Sequence, residues 1–199
     1  MLSIIYSPPE PKVFIAAMIR ALSGLLYPVA VYFALQWFEP RVIAAILAIF
    51  LLLRWKRQAA QILAGLSGIS HGILIALLLL CLAVLVVNNE TLLRLYPAAI
   101  NLGLLTMFGM TLWQPPPMIE RFARLRHTHL SAESIRYTRH VTHAWCLFFV
   151  GNGLIAAWTA IAASRETWAL YNGFIAYLLM GALFAGEWLL RRYRFPVPR

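Results

Sequence analysis

The sequence predicts an all-α membrane protein: one polytopic helical bundle of six transmembrane helices with both termini in the cytoplasm. Hydrophobic residues make up 62% of the 199 residues and charged residues only 12%, whereas soluble proteins are about 45–50% apolar. The apolar residues form long runs, and a chain of this length has room for six spans of about 20 residues with short turns. Basic residues collect on one side of the resulting topology. We therefore expect a single membrane domain over residues 1–199.

The first three spans are predicted between a proline-rich start and a pair of asparagines. The start lacks the pattern of a cleaved signal peptide, so the first span is expected to remain as an anchor. The second run is continuously apolar only over 42–53, and flanking arginine, lysine and tryptophan side chains would have to extend it towards the interface. The third run carries Ala64, Gly68 and Gly72, a spacing that lets helices approach closely in lipid. The predicted bounds are about 13–37, 42–57 and 64–87.

The last three spans surround the one long polar segment of the chain. Span four should end at the prolines 115–117, because a proline disfavours helix at the residue before it. A turn at 164–166 is expected to separate spans five and six. The predicted bounds are about 95–113, 141–163 and 168–190, with a cytoplasmic loop at 114–140.

The cytoplasmic loop is predicted to contain a short amphipathic helix in the headgroup layer, where arginines meet anionic lipid. Its apolar face would carry Met118, Ile119, Phe122 and Leu125, and its polar face Glu120, Arg121, Arg124 and Arg126. A second helix should begin at Ser131, a favourable N-cap, and continue unbroken into span five. Glu133 in its first turn would suit the helix dipole.

The distribution of basic residues tests this topology. Six spans place 14 lysines and arginines on the side of the two termini and three on the other side, namely Arg41, Arg94 and Arg165. Because cytoplasmic loops are rich in lysine and arginine, both termini are predicted to be cytoplasmic. The same rule explains the net charge of +10 without nucleic acid as a partner.

Glu187 is the only acid within a predicted span. An ionisable group in hydrocarbon costs about 2.5–3.5 kcal/mol on insertion scales, which makes it a functional candidate. Arg191 follows four residues later, so an ordinary helical ion pair is the alternative. If the chain is an enzyme, His143 and Glu187 are the candidate catalytic acid–base groups.

Four residues near the start of span five and in the loop are candidates for binding an anion. Arginine offers paired donors to phosphate or carboxylate, and these residues are Arg124, Arg136, Arg139 and His140. The histidines have no acidic ligand near them in sequence, so no metal site and no cofactor are expected. The simplest alternative is that these residues only fix the topology.

Asn101, Asn152 and Asn172 lie in three different predicted spans. Amides in lipid need hydrogen-bond partners. They therefore either lock the bundle together or line a polar cavity that binds a head group.

Three segments resemble an uncharacterised bacterial integral membrane family. They are YPAAINLGLLTMFGMTLWQPPPMIERFARL at 96–125, IRYTRHVTHAWCLFFVGNG at 135–153 and YNGFIAYLLMGALFAGEWLLRR at 171–192. Members are commonly encoded in aryl polyene and xanthomonadin-type pigment gene clusters, beside enzymes that resemble fatty-acid synthase. The resemblance implies a bacterial inner-membrane location and a role in that pathway, and it supplies no catalytic residue. Some members are labelled ketosynthase, but this chain has no cysteine in a suitable context for that chemistry.

Three functions are compatible with these observations. The first is an accessory protein that docks acyl carrier protein or polyene synthase subunits on its basic face, because acyl carriers are acidic. The second is a transporter or flippase for a polyene lipid or its precursor. The third is a membrane acyl or head-group transferase. Membrane lipids are expected partners of each, and a homo-oligomer is compatible with all three.

Overall fold

A computed structural model describes residues 28–55, 67–125 and 130–194. Over these ranges the chain is helical and contains no β-strand. Several predictions fall outside the described residues. They concern most of the first span, Lys56 and Arg57, the loop residues Arg126, His127 and His129, and the tail after 194.

The described helices follow one another with short connections. A helical stretch at 28–34 precedes α1 (Pro40–Trp55), α2 (Ser67–Val87), α3 (Glu90–Arg94), α4 (Tyr96–Trp113), α5 (Met118–Arg124), α6 (Ala132–Ala162), α7 (Arg165–Leu170), a π-helical turn (Tyr171–Ile175) and α8 (Ala176–Arg194). Asn88 ends α2 with a positive φ of 51°, a conformation that asparagine adopts more readily than most residues.

Four stretches within the described residues are long and apolar enough to cross a membrane. They are Gly68–Val87, Glu90–Trp113, Ala132–Ala162 and Arg165–Tyr193. These four correspond to the predicted spans three to six. The predicted second span appears as the shorter apolar helix Pro40–Leu53, so the count of six remains a prediction.

The start of α6 confirms the N-cap that the sequence predicts. The Ser131 side chain accepts a hydrogen bond from the Ser134 amide, and α6 continues unbroken to Ala162. The predicted turn at 164–166 is shorter than expected. Ser164 caps α7, so the helix begins again at Arg165.

The core consists of two hydrophobic clusters. The larger surrounds Trp168 and Leu93 and joins α1, α2, α3 and α7. The smaller surrounds Phe108, Trp145 and Phe149, where α4 packs along α6. Outside these clusters many large apolar side chains are exposed, and such an exterior suits lipid rather than water.

Two glycines of α4 differ in their surroundings. A Cβ added at Gly103 would lie 2.8 Å from the Cγ2 atom of Ile73, so α2 and α4 approach closely there. A Cβ added at Gly109 would meet no heavy atom within 4 Å.

Candidate functional site

Charged residues of the described chain gather at the two ends of the bundle. We call one end the basic end. It comprises α5, the first turns of α6 and the last turns of α8, which together carry seven arginines and three glutamates. We call the other the neutral end. It comprises residues 39–41, 88–94 and 163–166, with three arginines and three glutamates.

At the basic end, α5 is fixed to the bundle by two buried threonines. The amide of Met118 donates to the Thr111 hydroxyl at 2.9 Å, and the amide of Ile119 donates to the Thr142 hydroxyl at 3.3 Å. These bonds satisfy amides that a helix N-terminus leaves without partners.

The amphipathic pattern predicted for α5 holds only in part. Met118 is buried as expected, but Glu120 is also buried, at 4% exposure, while Phe122 and Leu125 are exposed. Two N–H groups of Arg124 donate to Glu120 Oε1, at 2.8 and 2.6 Å, which explains how the carboxylate is accommodated. Arg124, a predicted anion-binding residue, is therefore already engaged by a carboxylate.

A cavity of about 310 Å³ opens at the basic end beside the first two turns of α6. The described residues that line it are Glu133, Arg136, Tyr137 and His140. They share one side of the helix because residues three and four apart lie above one another. Arg136 and His140 were predicted to bind an anion, and the structure brings them together in this cavity.

Glu187 reaches the same region from α8. The Tyr137 hydroxyl donates to the Glu187 backbone carbonyl at 3.2 Å and lies 3.5 Å from its carboxylate. Arg191 Nε lies 3.7 Å from the carboxylate, which is the helical pair that the sequence predicts. His143, the other catalytic candidate, is exposed further along α6 and does not line the cavity.

Arg136 and Arg139 are exposed side chains. In the part of the chain that the structure describes, no carboxylate lies within ion-pair distance of either guanidinium. Arg192 lies over the ring of Trp188, 5.4 Å from its centroid. The basic end therefore presents positive charge at its surface.

The arginines of the neutral end are all paired with a glutamate. Arg165 donates two hydrogen bonds to Glu90, at 2.7 and 2.5 Å. Arg94 is 3.9 Å from the same carboxylate. Arg41 bonds to Glu39 and holds the pKa of that carboxyl below its ordinary value, with a smaller contribution from the side chain of Asn88. Positive charge at this end is thus balanced locally.

Arg94 also joins three elements below the surface of the neutral end. Its Nη2 atom donates to the carbonyls of Thr159, Ala163 and Ser164, at 2.7, 2.6 and 3.2 Å. Trp168 Nε1 donates to the Arg94 carbonyl at 2.9 Å. The guanidinium thus satisfies the C-terminus of α6 and interacts favourably with the helix dipole.

The intramembrane asparagines are bonded within the protein. Asn152 Nδ2 donates to Asn101 Oδ1 at 3.0 Å, and the Tyr171 hydroxyl donates to Asn152 Oδ1 at 2.9 Å. Asn172 Nδ2 donates to the Thr159 hydroxyl and the Trp168 carbonyl, at 3.2 and 2.9 Å. This geometry is that of side chains that hold helices together.

Sequence reasoning assigned no site role to three polar residues that the structure places in the cavity or buries at the neutral end. Tyr137 and Glu133 could have been found from their helical spacing to Arg136 and His140. Arg94 carried no such signal, because only tertiary packing buries it. Within the described ranges, no three histidine, cysteine or glutamate side chains are close enough to hold a metal ion.

A comparison of the chain with protein-family models, curated protein sequences and solved structures gave no match.

Proposed function

We propose that this chain is an inner-membrane accessory protein that docks acidic soluble partners on its basic end, with both termini in the cytoplasm. The partners proposed are acyl carrier protein or synthase subunits of an aryl polyene-type lipid or pigment pathway. The pathway rests on the family resemblance. The docking role rests on the charges of the two ends.

The observation that carries the docking role is the difference between the two sets of arginines. At the neutral end, Arg41, Arg94 and Arg165 are held by glutamates. At the basic end, Arg136 and Arg139 are exposed without a carboxylate among the described residues. Unpaired surface charge steers an oppositely charged partner and adds to complementarity when it binds.

Binding to a purified acyl carrier protein from an aryl polyene gene cluster tests the role. The protein is placed in nanodiscs of phosphatidylcholine, so that the lipid adds no net charge. For Arg136→Glu/Arg139→Glu, we expect the affinity at low salt to fall by about tenfold or more. Added salt should weaken wild-type binding most, since screening acts on exposed charge.

Arg41→Glu is the matched control, because it makes the same change of charge per residue at an exposed position of the neutral end. The proposal expects this variant to bind the carrier as the wild type does. Unchanged affinity in the double variant, or an equal loss in the control, would reject docking through the basic end. The orientation is tested separately with a C-terminal reporter: alkaline phosphatase should be inactive there and green fluorescent protein fluorescent.

One observation supports a second candidate function, transfer of an acyl or head group in the cavity. His140, Tyr137 and the nearby Glu187 supply groups that can move a proton. If this is the function, His140→Asn should abolish the product without lowering the amount of protein in the membrane. A transporter has less support, because Asn101 and Asn152 bond to each other.

A further inference from the structure

We propose that the exposed face of α8 is covered by residues 13–27, the first part of the first predicted span, packed antiparallel to it. These residues lie outside the described ranges. This contact is independent of the docking function. Three observations carry it: a contact at Gly173, an open face of α8 beyond that contact, and the length and composition of the segment.

The contact at Gly173 marks where the segment begins to cover α8. A Cβ added at Gly173 would lie 2.9 Å from Cγ2 of Val29 and 3.6 Å from Cβ of Pro28. Pro28 is the first residue of the predicted span that the structure describes. The described beginning of this span is therefore already seated on the π-helical turn that leads into α8.

The direction of the two helices follows from their ends. The chain runs from Pro28 to Glu39, which lies at the neutral end beside Asn88. At the same end α7 begins at Arg165, and α8 continues from the π-helical turn towards the basic end. The segment that precedes Pro28 is therefore directed towards the basic end, alongside α8.

Beyond Gly173, α8 presents an open face. Among the described residues, no heavy atom lies within 4 Å of a Cβ added at Gly181. Phe184 and Trp188 follow on the same side, because residues three and four apart on a helix lie above one another. They are 57% and 45% exposed, so this side continues the Gly173 contact without a described partner.

The contact at Gly173 also sets the register of the pair. Ala21 lies eight residues before Val29, and Gly181 lies eight residues after Gly173. At about 1.5 Å per residue, these two small residues come to the same level. Positions eight apart share one side of a helix, so Ala21 and Gly181 face each other. Small residues at such a crossing let two helices approach closely in lipid.

The segment has the length and composition to cover this face. As a helix, residues 13–27 extend about 22 Å at 1.5 Å per residue, which reaches from Gly173 to Trp188. The residues that share the side of Val29 and Ala21 are all apolar, namely Phe14, Met18 and Leu25. Arg20 lies off this side, so no charge has to enter the contact.

The test is disulfide cross-linking in native membranes, with Cys81 and Cys146 replaced by alanine. On oxidation, Ala21→Cys/Gly181→Cys should form a disulfide within one chain, identified by mass spectrometry of the linked peptides. Ala21→Cys/Ala182→Cys is the matched control, because Ala182 is exposed at the same level on another side of α8. Cysteines whose Cβ atoms point apart cannot be bridged, so this pair should stay reduced.

Two further variants test the register and the packing. Phe14→Cys/Gly181→Cys should not link, because Phe14 lies about 10 Å further along the same side. Gly181→Leu should lower the midpoint of unfolding in sodium dodecyl sulfate, since the larger side chain would overpack the contact. Gly151→Leu should leave that midpoint nearly unchanged, because Gly151 is exposed on α6 with open space around it.

Three outcomes would overturn the proposal. A disulfide-linked dimer as the main product of Gly181→Cys alone would show that a second copy covers this face. Equal tolerance of leucine at Gly181 and Gly151 would show that lipid covers it. Absence of a link to Gly181→Cys from cysteines at Met18, Ala21 and Leu22 would show that the segment lies elsewhere. None of these variants changes a charge of the basic end, so the docking test is unaffected by the result.

Discussion

Replacing Arg94 with methionine should destabilise the protein far more than its place near the end of a span suggests. The side chain is buried, at 8% exposure. Its guanidinium donates to three carbonyls around the C-terminus of α6. Methionine fills a similar length but donates nothing, so these contacts are lost without a large cavity.

The cost can be worked out carbonyl by carbonyl. Thr159 and Ser164 keep backbone partners, because their carbonyls also accept the amides of Ala163 and Trp168. The Ala163 carbonyl loses its charged donor, at about 1–3 kcal/mol. Loss of the cation from the helix C-terminus adds about 1–2 kcal/mol in a partly buried setting. We expect an unfolding free energy lower by about 3 kcal/mol.

The measurement is reversible unfolding in mixed micelles with increasing sodium dodecyl sulfate, followed by circular dichroism. Arg165→Gln is the comparison, because it removes an exposed arginine from the same glutamate and should cost about 0.5 kcal/mol. Arg94→Lys retains the charge but not the planar donor set, so an intermediate loss is expected. If Arg94→Met costs no more than Arg165→Gln, the guanidinium does not hold α6, and the reasoning fails.

Three further predictions use the same unfolding assay or a titration. Asn152→Leu should lower the free energy of unfolding by about 1–2 kcal/mol, and Tyr171→Phe should lower it by about half of that. The asparagine bonds to two partners and the tyrosine to one, so equal losses would contradict this order. Gly103→Ala should lower the free energy of unfolding by about 1–3 kcal/mol through overpacking. Gly109→Ala, in open space on the same helix, should leave it nearly unchanged, and similar values for both variants would show that α2 can move aside. The Glu39 carboxyl should titrate in carbon-detected NMR with a midpoint below 4.5, because Arg41 lowers its pKa. Its contribution to stability is therefore present above pH 4.5 and is lost as the pH falls through the lowered pKa. A midpoint at or above 4.5 would show that Arg41 does not stabilise the carboxylate.

The fold class could be predicted because membrane insertion depends on local features of the sequence. Long apolar runs, prolines at 115–117 and a serine cap at Ser131 act within a few residues, and the helices begin and end close to where these signals lie. The Glu187–Arg191 pair was predictable for the same reason, since its spacing is fixed by the helix.

The buried polar contacts could not be predicted, because they depend on which helices meet. Asn101 and Asn152 are 51 residues apart in the chain and bond directly. Glu120 follows a surface pattern within α5, yet it is buried because the two threonines hold α5 against the bundle. A helical pattern gives the faces of one element, and only packing decides which face is covered.

The π-helical turn is a feature that the local sequence pattern does not predict. In a regular α-helix, adjacent residues point about 100° apart, so three consecutive residues rarely all face the interior. Tyr171, Asn172 and Gly173 are nevertheless all buried. The wider turn lets the first two reach Asn152 and Thr159, two different levels of α6. π-turns inside helices are often found where function requires an unusual geometry.

Here the π-turn serves the attachment of α7 and α8 to α6, through the hydrogen bonds of Tyr171 and Asn172. Trp145 and Phe184 bring α6 and α8 together, with ring centroids 4.6 Å apart. The Tyr137–Glu187 contact follows at the basic end. The polar bonds near the neutral end and the aromatic contact thus fix the two helices whose ends present the charges. Helices held in this way need little further ordering when a partner binds, which suits the docking role proposed for the basic end.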